Sequence, residues 1–195
     1  MLPNHADQSA GKVTIVSVDV ETAGPVPSQY PLLAIGACTL GSPRETFYVE
    51  LKPDRPRSVP SAVSISGLSL SELELAGLEP ALAMAQFEQW LERVTLPGQR
   101  PLMAAYNAPF DWMFVADYFH RYLGRNPLGH AALDIKSFLM GATGVSWPET
   151  SMAFIAPRFL GKADLVHHGL QDALDQADIL TALMQPPFRK DATDE

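Results

Sequence analysis

The stretch that decides the fold is residues 13–21, VTIVSVDVE, which is typical of one buried β-strand ending in two carboxylates. Apolar residues occupy both faces of this strand, as expected of a central strand covered on both sides. Because side chains alternate between the faces of a strand, Asp19 and Glu21 point the same way. Two acids held together away from water are unfavourable unless a cation neutralises them. The pattern favours a metal site; the open alternative is an ordinary strand end that meets a polar loop.

The composition is that of a protein of ordinary size with an acidic charge. Its 195 residues fit one domain, and 47% hydrophobic residues allow a sizeable core. Cys38 is the single cysteine, so neither an intrachain disulfide nor a cysteine metal site is expected. No stretch resembles a signal peptide or a membrane span, so we expect a cytoplasmic protein. The net charge of −8 argues against tight binding of long nucleic acid, although cations bound by clustered acids would cancel part of it.

Outward from the first strand, the hydrophobic pattern predicts a mixed sheet flanked by helices. Further strands are expected at 32–40, 45–51, 101–106 and 131–135. Helices are expected at 80–96, 109–123, 136–141, 149–160 and 170–184.

The segments between and beyond these elements are polar or rich in proline. Residues 52–62, which contain Lys52, Arg55 and Arg57, are interpreted as a solvated loop. Residues 1–12 are predicted to be a flexible leader and residues 186–195 a flexible tail. This leaves residues 13–185 as a single domain.

Asp111 is the first of two aspartates that occupy unusual places at helix starts. Val115, Tyr118 and Tyr122 follow it at +4, +7 and +11, so it shares the buried stripe of its helix. An aspartate in a first turn is often only a partner of the helix dipole. That alternative suits a residue facing solvent better than one facing the core.

Asp172 lies in the first turn of the last helix, which His167 and His168 precede. Acids are common in a first helical turn, so this residue alone is a mild signal. Ile179 and Leu183 lie on the same side of the helix as Asp172, which indicates that this side faces the core. The nearby acids are interpreted as solvated; they are Asp164, Asp175 and Asp178.

Together, the four carboxylates carry about −4, which two Mg²⁺ or Mn²⁺ ions would balance, and oxygen ligands favour these ions over zinc. Two such ions about 3.5–4 Å apart form a clamp for phosphodiester displacement, one activating a water and the other stabilising the leaving oxygen. A histidine with a pKa near neutrality beside this set can take the proton of that water. The four acids are Asp19, Glu21, Asp111 and Asp172.

The order of these motifs resembles that of the DEDDh 3′–5′ exonucleases, which include the proofreading subunit of bacterial replicative DNA polymerase, oligoribonuclease and RNase T. The three motifs here are VDVETAGP, YNAPFDW and HHGLQDALDQA, and ISGLSLSEL resembles a further segment of the family. The resemblance runs from about Val13 to Met184. It implies an α/β, ribonuclease H-like fold with a five-stranded mixed sheet and helices on both faces.

The same resemblance implies a role for each motif residue. The four acids would bind two divalent cations, and the family's histidine-to-aspartate spacing selects His167, rather than His168, as general base. Thr22 would contact the terminal 3′-hydroxyl, and Phe110 would pack against the terminal sugar or base. Asn107 would support the second motif.

The implied activity is release of nucleoside 5′-monophosphates from the 3′ end of single-stranded RNA or DNA. The loop GPVPSQYP is longer and richer in proline than the usual family form, which leaves the sugar preference open. Two alternatives stay open: a non-catalytic module that binds nucleic acid or protein, and a phosphodiesterase acting on short nucleotides. A homodimer is a further option, because many relatives are dimers.

Overall fold

The computed structural model describes residues 12–161 and 168–185, and its centre is a five-stranded mixed sheet. The strands are β1 Val13–Thr22, β2 Leu32–Thr39, β3 Thr46–Glu50, β4 Arg100–Ala105 and β5 Leu133–Asp134. Their spatial order is β3-β2-β1-β4-β5, in which β1 runs antiparallel to β2 and parallel to β4. The predicted five-stranded mixed sheet is confirmed, with the first strand at its centre.

Seven helices accompany the sheet in the described residues. They are α1 Pro60–Ser66, α2 Leu70–Ala76, α3 Pro80–Val94, α4 Ala108–Leu123, α5 Ile135–Thr143, α6 Met152–Phe159 and α7 Gly169–Leu183. A 3₁₀ turn, Trp147–Thr150, precedes α6. The five helices expected from the hydrophobic pattern are present, whereas α1 and α2 were not predicted.

Strand β1 separates two hydrophobic layers. Val16, Val18 and Val20 are buried in the main core cluster together with side chains of α3 and α4. Because side chains alternate along a strand, Asp19 and Glu21 face the opposite layer, where α7 packs across β1 and β2. The sheet therefore presents its two acids to the start of α7.

The interpretation of residues 52–62 as a solvated loop is wrong in two respects: α1 already begins at Pro60, and Asp54 is largely buried, with 11% of its side chain exposed. Tyr118 donates to its carboxylate at 2.5 Å and Tyr122 at 2.7 Å. Burial alone would raise the pKa of Asp54, but these hydroxyls and Arg55 lower it below its ordinary value. The sequence of the loop alone does not reveal the burial of Asp54, because the two tyrosines that bind its carboxylate belong to α4.

The predicted leader and tail fall outside the described residues, apart from Lys12. In the described ranges, no helix combines the length and the apolar character that crossing a membrane would require.

Candidate active site

A cleft of about 310 Å³ lies where β1 ends, between the starts of α4 and α7. All of the site residues expected from the sequence line it, except His167, which lies outside the described residues. The lining residues not expected from the sequence are Val20, Ala62, Ile65 and Tyr106.

Three carboxylates meet closely in this cleft. Oxygen atoms of Asp19, Glu21 and Asp172 all lie within 4.8 Å of one another. A donor set made of carboxylate oxygens suits a hard divalent cation such as Mg²⁺ or Mn²⁺. The arrangement therefore fits the divalent metal site that the sequence predicts.

Asp111 completes the acidic set from the side of α4. It is 4% exposed, and its Oδ1 accepts the backbone N–H of Val20 at 3.1 Å. The prediction that Asp111 faces the core rather than solvent is thus confirmed. Its contact with β1 places it beside the strand that carries Asp19 and Glu21.

Glycine at position 36 allows the start of α7 to approach β1. Gly36 of β2 pairs with Asp19 across the sheet, and a Cβ at position 36 would overlap the backbone of Gly169 and Leu170. Only a residue without a side chain fits this close approach of helix to strand. Asp172, in the first turn of α7, reaches the other acids for this reason.

Burial and mutual repulsion hold protons on these acids when no cation is present. Burial raises the pKa of Asp19 well above its ordinary value, and the neighbouring Asp111, Asp172 and Glu21 raise it further. Burial, followed by the charge of Asp172, raises the pKa of Glu21 to about 7. Burial also raises the pKa of Asp111 to about 8, although the N–H of Val20 opposes the shift.

These shifts make the stability of the metal-free protein depend on pH. The unfolded chain releases these protons near the ordinary values of 4.5 for Glu21 and 3.8 for Asp111, whereas the folded protein keeps them up to about 7 and 8. Their stabilising effect is complete below about pH 4 and is lost as pH rises through 7 to 8. In EDTA, we expect Tm to fall by at least roughly 10 °C between pH 5 and pH 8.5.

Thermal melts across this range measure the effect. Mg²⁺ should flatten the dependence by replacing protons, and Glu21→Gln should reduce it. The matched variant Asp178→Asn removes an exposed acid that pairs with Arg44, and it should leave the dependence unchanged. A Tm in EDTA that stays constant or rises with pH would contradict the proton occupancy inferred here.

The three residues expected at the substrate line the same cleft in different ways. The Thr22 hydroxyl donates to the Gly24 carbonyl at 2.9 Å. Phe110 is partly buried, with its ring 5.4 Å from that of Phe114. Asn107 has a left-handed backbone, with φ 74°, which asparagine tolerates better than most residues and which turns β4 into α4. Their contacts with substrate stay predictions.

His168 is the histidine of the third motif that the structure describes. Its ring stacks on Tyr48, with 4.7 Å between ring centroids, and its backbone N–H donates to Asp172 at 3.2 Å. Its ring is thus engaged at β3, whereas its backbone contacts the acid cluster.

Sequence reasoning misjudged two polar residues of α7. Asp175 was interpreted as solvated, but it is 4% exposed and accepts a hydrogen bond from Gln171. Gln176, which was not singled out, is equally buried and donates to Asp19 at 2.6 Å. Their positions, three and four residues after Asp172, place them on the face of the helix that meets the sheet. Asp178 is exposed, as interpreted, and Asp164 lies outside the described residues.

Comparison with known sequences agrees with this geometry. The family model for the RNase T exonuclease family matches residues 16–180. The 3′–5′ DNA exonuclease Cap18 of Escherichia coli is 43% identical over 168 residues, which cover 86% of this chain and 90% of that protein.

Comparison with solved structures finds exonuclease I. The Escherichia coli enzyme in complex with a dT13 oligonucleotide superposes with a TM-score of 0.71 at 19% identity, covering 89% of this chain and 41% of that one. Exonuclease I of Methylocaldum szegediense gives 0.65 at 20% identity, covering 90% of this chain and 42% of that one. This chain spans about two fifths of the length of those proteins, and at such identity the likeness shows a shared fold.

Proposed function

Because this 3′–5′ exonuclease belongs to the RNase T family of exonucleases, we propose that it acts on single-stranded DNA and releases nucleoside 5′-monophosphates. The observation that carries the proposal is the meeting of the Asp19, Glu21 and Asp172 carboxylates in a cleft. The choice of DNA is supported by the 43% identity to a protein named as a DNA exonuclease. The cleft is walled by apolar side chains as well as acids, which suits a nucleotide with an apolar base face.

The acid cluster fits two divalent cations, Mg²⁺ or Mn²⁺. In this proposal Asp19, Glu21, Asp111 and Asp172 hold them, and the four negative charges match the four positive ones. The bound cations would supply positive charge to the attacking water and to the leaving oxygen of the phosphodiester. The raised pKa values of Asp19, Glu21 and Asp111 support this assignment, because such groups ionise readily only beside added positive charge.

The remaining roles belong to side chains around the acids. Thr22 contacts the terminal 3′-hydroxyl, Phe110 packs against the terminal sugar or base, and Asn107 shapes the turn between β4 and α4. His167 takes the proton of the attacking water as general base. The stacking of the His168 ring on Tyr48 supports this choice, since it engages the alternative histidine elsewhere.

Degradation of matched 5′-labelled oligonucleotides tests the proposal. Purified protein with Mg²⁺ or Mn²⁺ should shorten single-stranded DNA from its 3′ end and should act more slowly on RNA of the same sequence. EDTA should abolish both reactions. Binding of DNA without cleavage, in a folded protein that takes up Mn²⁺, would contradict the proposal and favour the non-catalytic binding module. Cleavage confined to the shortest members of a length series would favour the phosphodiesterase.

The same assay distinguishes the two histidines. His167→Ala should slow the reaction, whereas its matched neighbour His168→Ala should retain most of the activity. The reverse order would assign the proton transfer to His168. The single domain at residues 13–185, the cytoplasmic location and the homodimer stay predictions.

A further inference from the structure

The side chain of Gln176 joins the acid cluster to the end of β4. Its Nε2 donates to Oδ1 of Asp19 at 2.6 Å, and its Oε1 accepts the backbone N–H of Tyr106 at 3.0 Å. Gln176 lies on α7, one turn after Asp172, and is 4% exposed. Both ends of a buried amide are thus engaged, one by a carboxylate and one by the backbone.

The orientation of this amide follows from its partners. A backbone N–H can only donate, so Tyr106 must face the carbonyl oxygen of Gln176 and not its NH₂ group. The NH₂ group then faces Asp19 and donates to it. Because the backbone N–H of Tyr106, directly after β4, holds the amide at its other end, the Asp19 carboxylate has a fixed hydrogen-bond donor before any cation binds.

A neutral donor suits this position for electrostatic reasons. A lysine or arginine would cancel the negative charge that attracts a cation, and a further acid would add to the repulsion that Asp19 already experiences from Asp111, Asp172 and Glu21. An amide donates without changing the charge of the cluster. One hydrogen bond also leaves lone pairs on the Asp19 carboxylate free to bind a cation.

We propose that Gln176 is a positioning residue, which holds Asp19 in the orientation that binds a divalent cation. Its amide also holds the backbone at Tyr106, whose side chain lines the cleft and whose hydroxyl donates to the Thr150 carbonyl. Gln176 thereby couples a cation ligand to one wall of the substrate cleft. The inference rests on the proposed two-cation function.

Two variants distinguish the hydrogen bond of Gln176 to Asp19 from its hydrogen bond to the backbone of Tyr106. Gln176→Met keeps the length of the side chain without either hydrogen bond, and Gln176→Glu keeps an acceptor for Tyr106 but, when ionised, cannot donate to Asp19. Both should lower kcat on single-stranded DNA by about 10- to 100-fold. Gln176→Met, which leaves the charge unchanged, should also weaken Mn²⁺ binding, measured by electron paramagnetic resonance, by a similar factor. KM should stay within about twofold, because Gln176 itself does not line the cleft.

Gln171→Met is the matched control. Gln171 lies on the same helix and is exposed, and its amide donates to Asp175, which is not a member of the acid cluster. The control should keep wild-type kcat and Mn²⁺ affinity. Thermal melts of all three variants report whether the fold is retained.

A measurement on the wild-type protein decides the matter if a variant fails to fold. In ¹⁵N-labelled protein, the side-chain amide of Gln176 should exchange with solvent more slowly than that of Gln171 and should shift on addition of Mg²⁺. Wild-type kcat in both folded variants together with wild-type Mn²⁺ affinity in Gln176→Met, or a Gln176 amide that exchanges freely and does not shift with Mg²⁺, would overturn the inference. A wild-type protein that neither binds Mn²⁺ nor degrades DNA would instead overturn the proposed function.

Discussion

Replacing Asp19 with asparagine is expected to reduce kcat on single-stranded DNA by about 10³-fold while leaving the fold intact. Asparagine has the same shape and still offers an oxygen to Gln176, so the change removes the negative charge and one of the two oxygens that could bind a cation. A bound cation supplies several kcal/mol of stabilisation to the charge that develops at phosphorus oxygens, and losing about 4 kcal/mol corresponds to about 10³-fold. Steady-state kinetics over a range of Mg²⁺ concentrations measures the loss.

The same variant should melt at a higher temperature than wild type in EDTA. Burial and three neighbouring carboxylates force Asp19 to take up a proton in the metal-free protein, and asparagine avoids this cost. Asp178→Asn, the same change at an exposed acid of α7, should alter neither activity nor Tm appreciably. An Asp19→Asn enzyme that kept most of its activity would remove Asp19 from the catalytic set.

Adding one methyl group at Gly36 is expected to lower kcat by about 10²-fold, although this residue touches no substrate. The new Cβ would overlap the backbone at Gly169, so α7 must move away from β2 and carry Asp172 with it. A displacement of about 1 Å at a catalytic group is enough for a loss of that size. The overpacked contact should also cost about 1–3 kcal/mol of stability, or roughly 2–12 °C in Tm.

The matched control is Gly41→Ala in the hairpin after β2. A Cβ at Gly41 meets no heavy atom within 4 Å, so this variant should keep both Tm and kcat. Comparison of kcat with direct Mn²⁺ binding for Gly36→Ala shows whether the loss lies in the cation site. A Gly36→Ala protein with wild-type Mn²⁺ affinity and kcat would mean that the helix–strand contact does not set the position of Asp172.

The elements that the sequence specified well are those with a strong local pattern. Strand β1 was predicted from its apolar residues on both faces, and α3, α4 and α7 from a stripe at helical spacing. Elements with weaker patterns were predicted less well. Helices α1 and α2, which follow a segment rich in proline, were not predicted. Strand β5 is shorter than expected, covering only Leu133–Asp134, because it pairs only with the last two residues of β4. Local periodicity reports burial, and short edge elements bury little.

The sequence by itself predicted which acids meet in the cleft, through the combined places of Asp19, Glu21, Asp111 and Asp172 at one strand end and two helix starts. The tertiary structure decided how close they come and what holds them. Asp19 and Gln176 are 157 positions apart in the chain. Gly36 of β2 and Gly169 of α7, which are in close backbone contact, are also far apart in sequence. A hydrogen bond or a close backbone contact between such residues leaves no periodic trace in either segment. Only folding, which brings α7 onto the sheet, brings the atoms together.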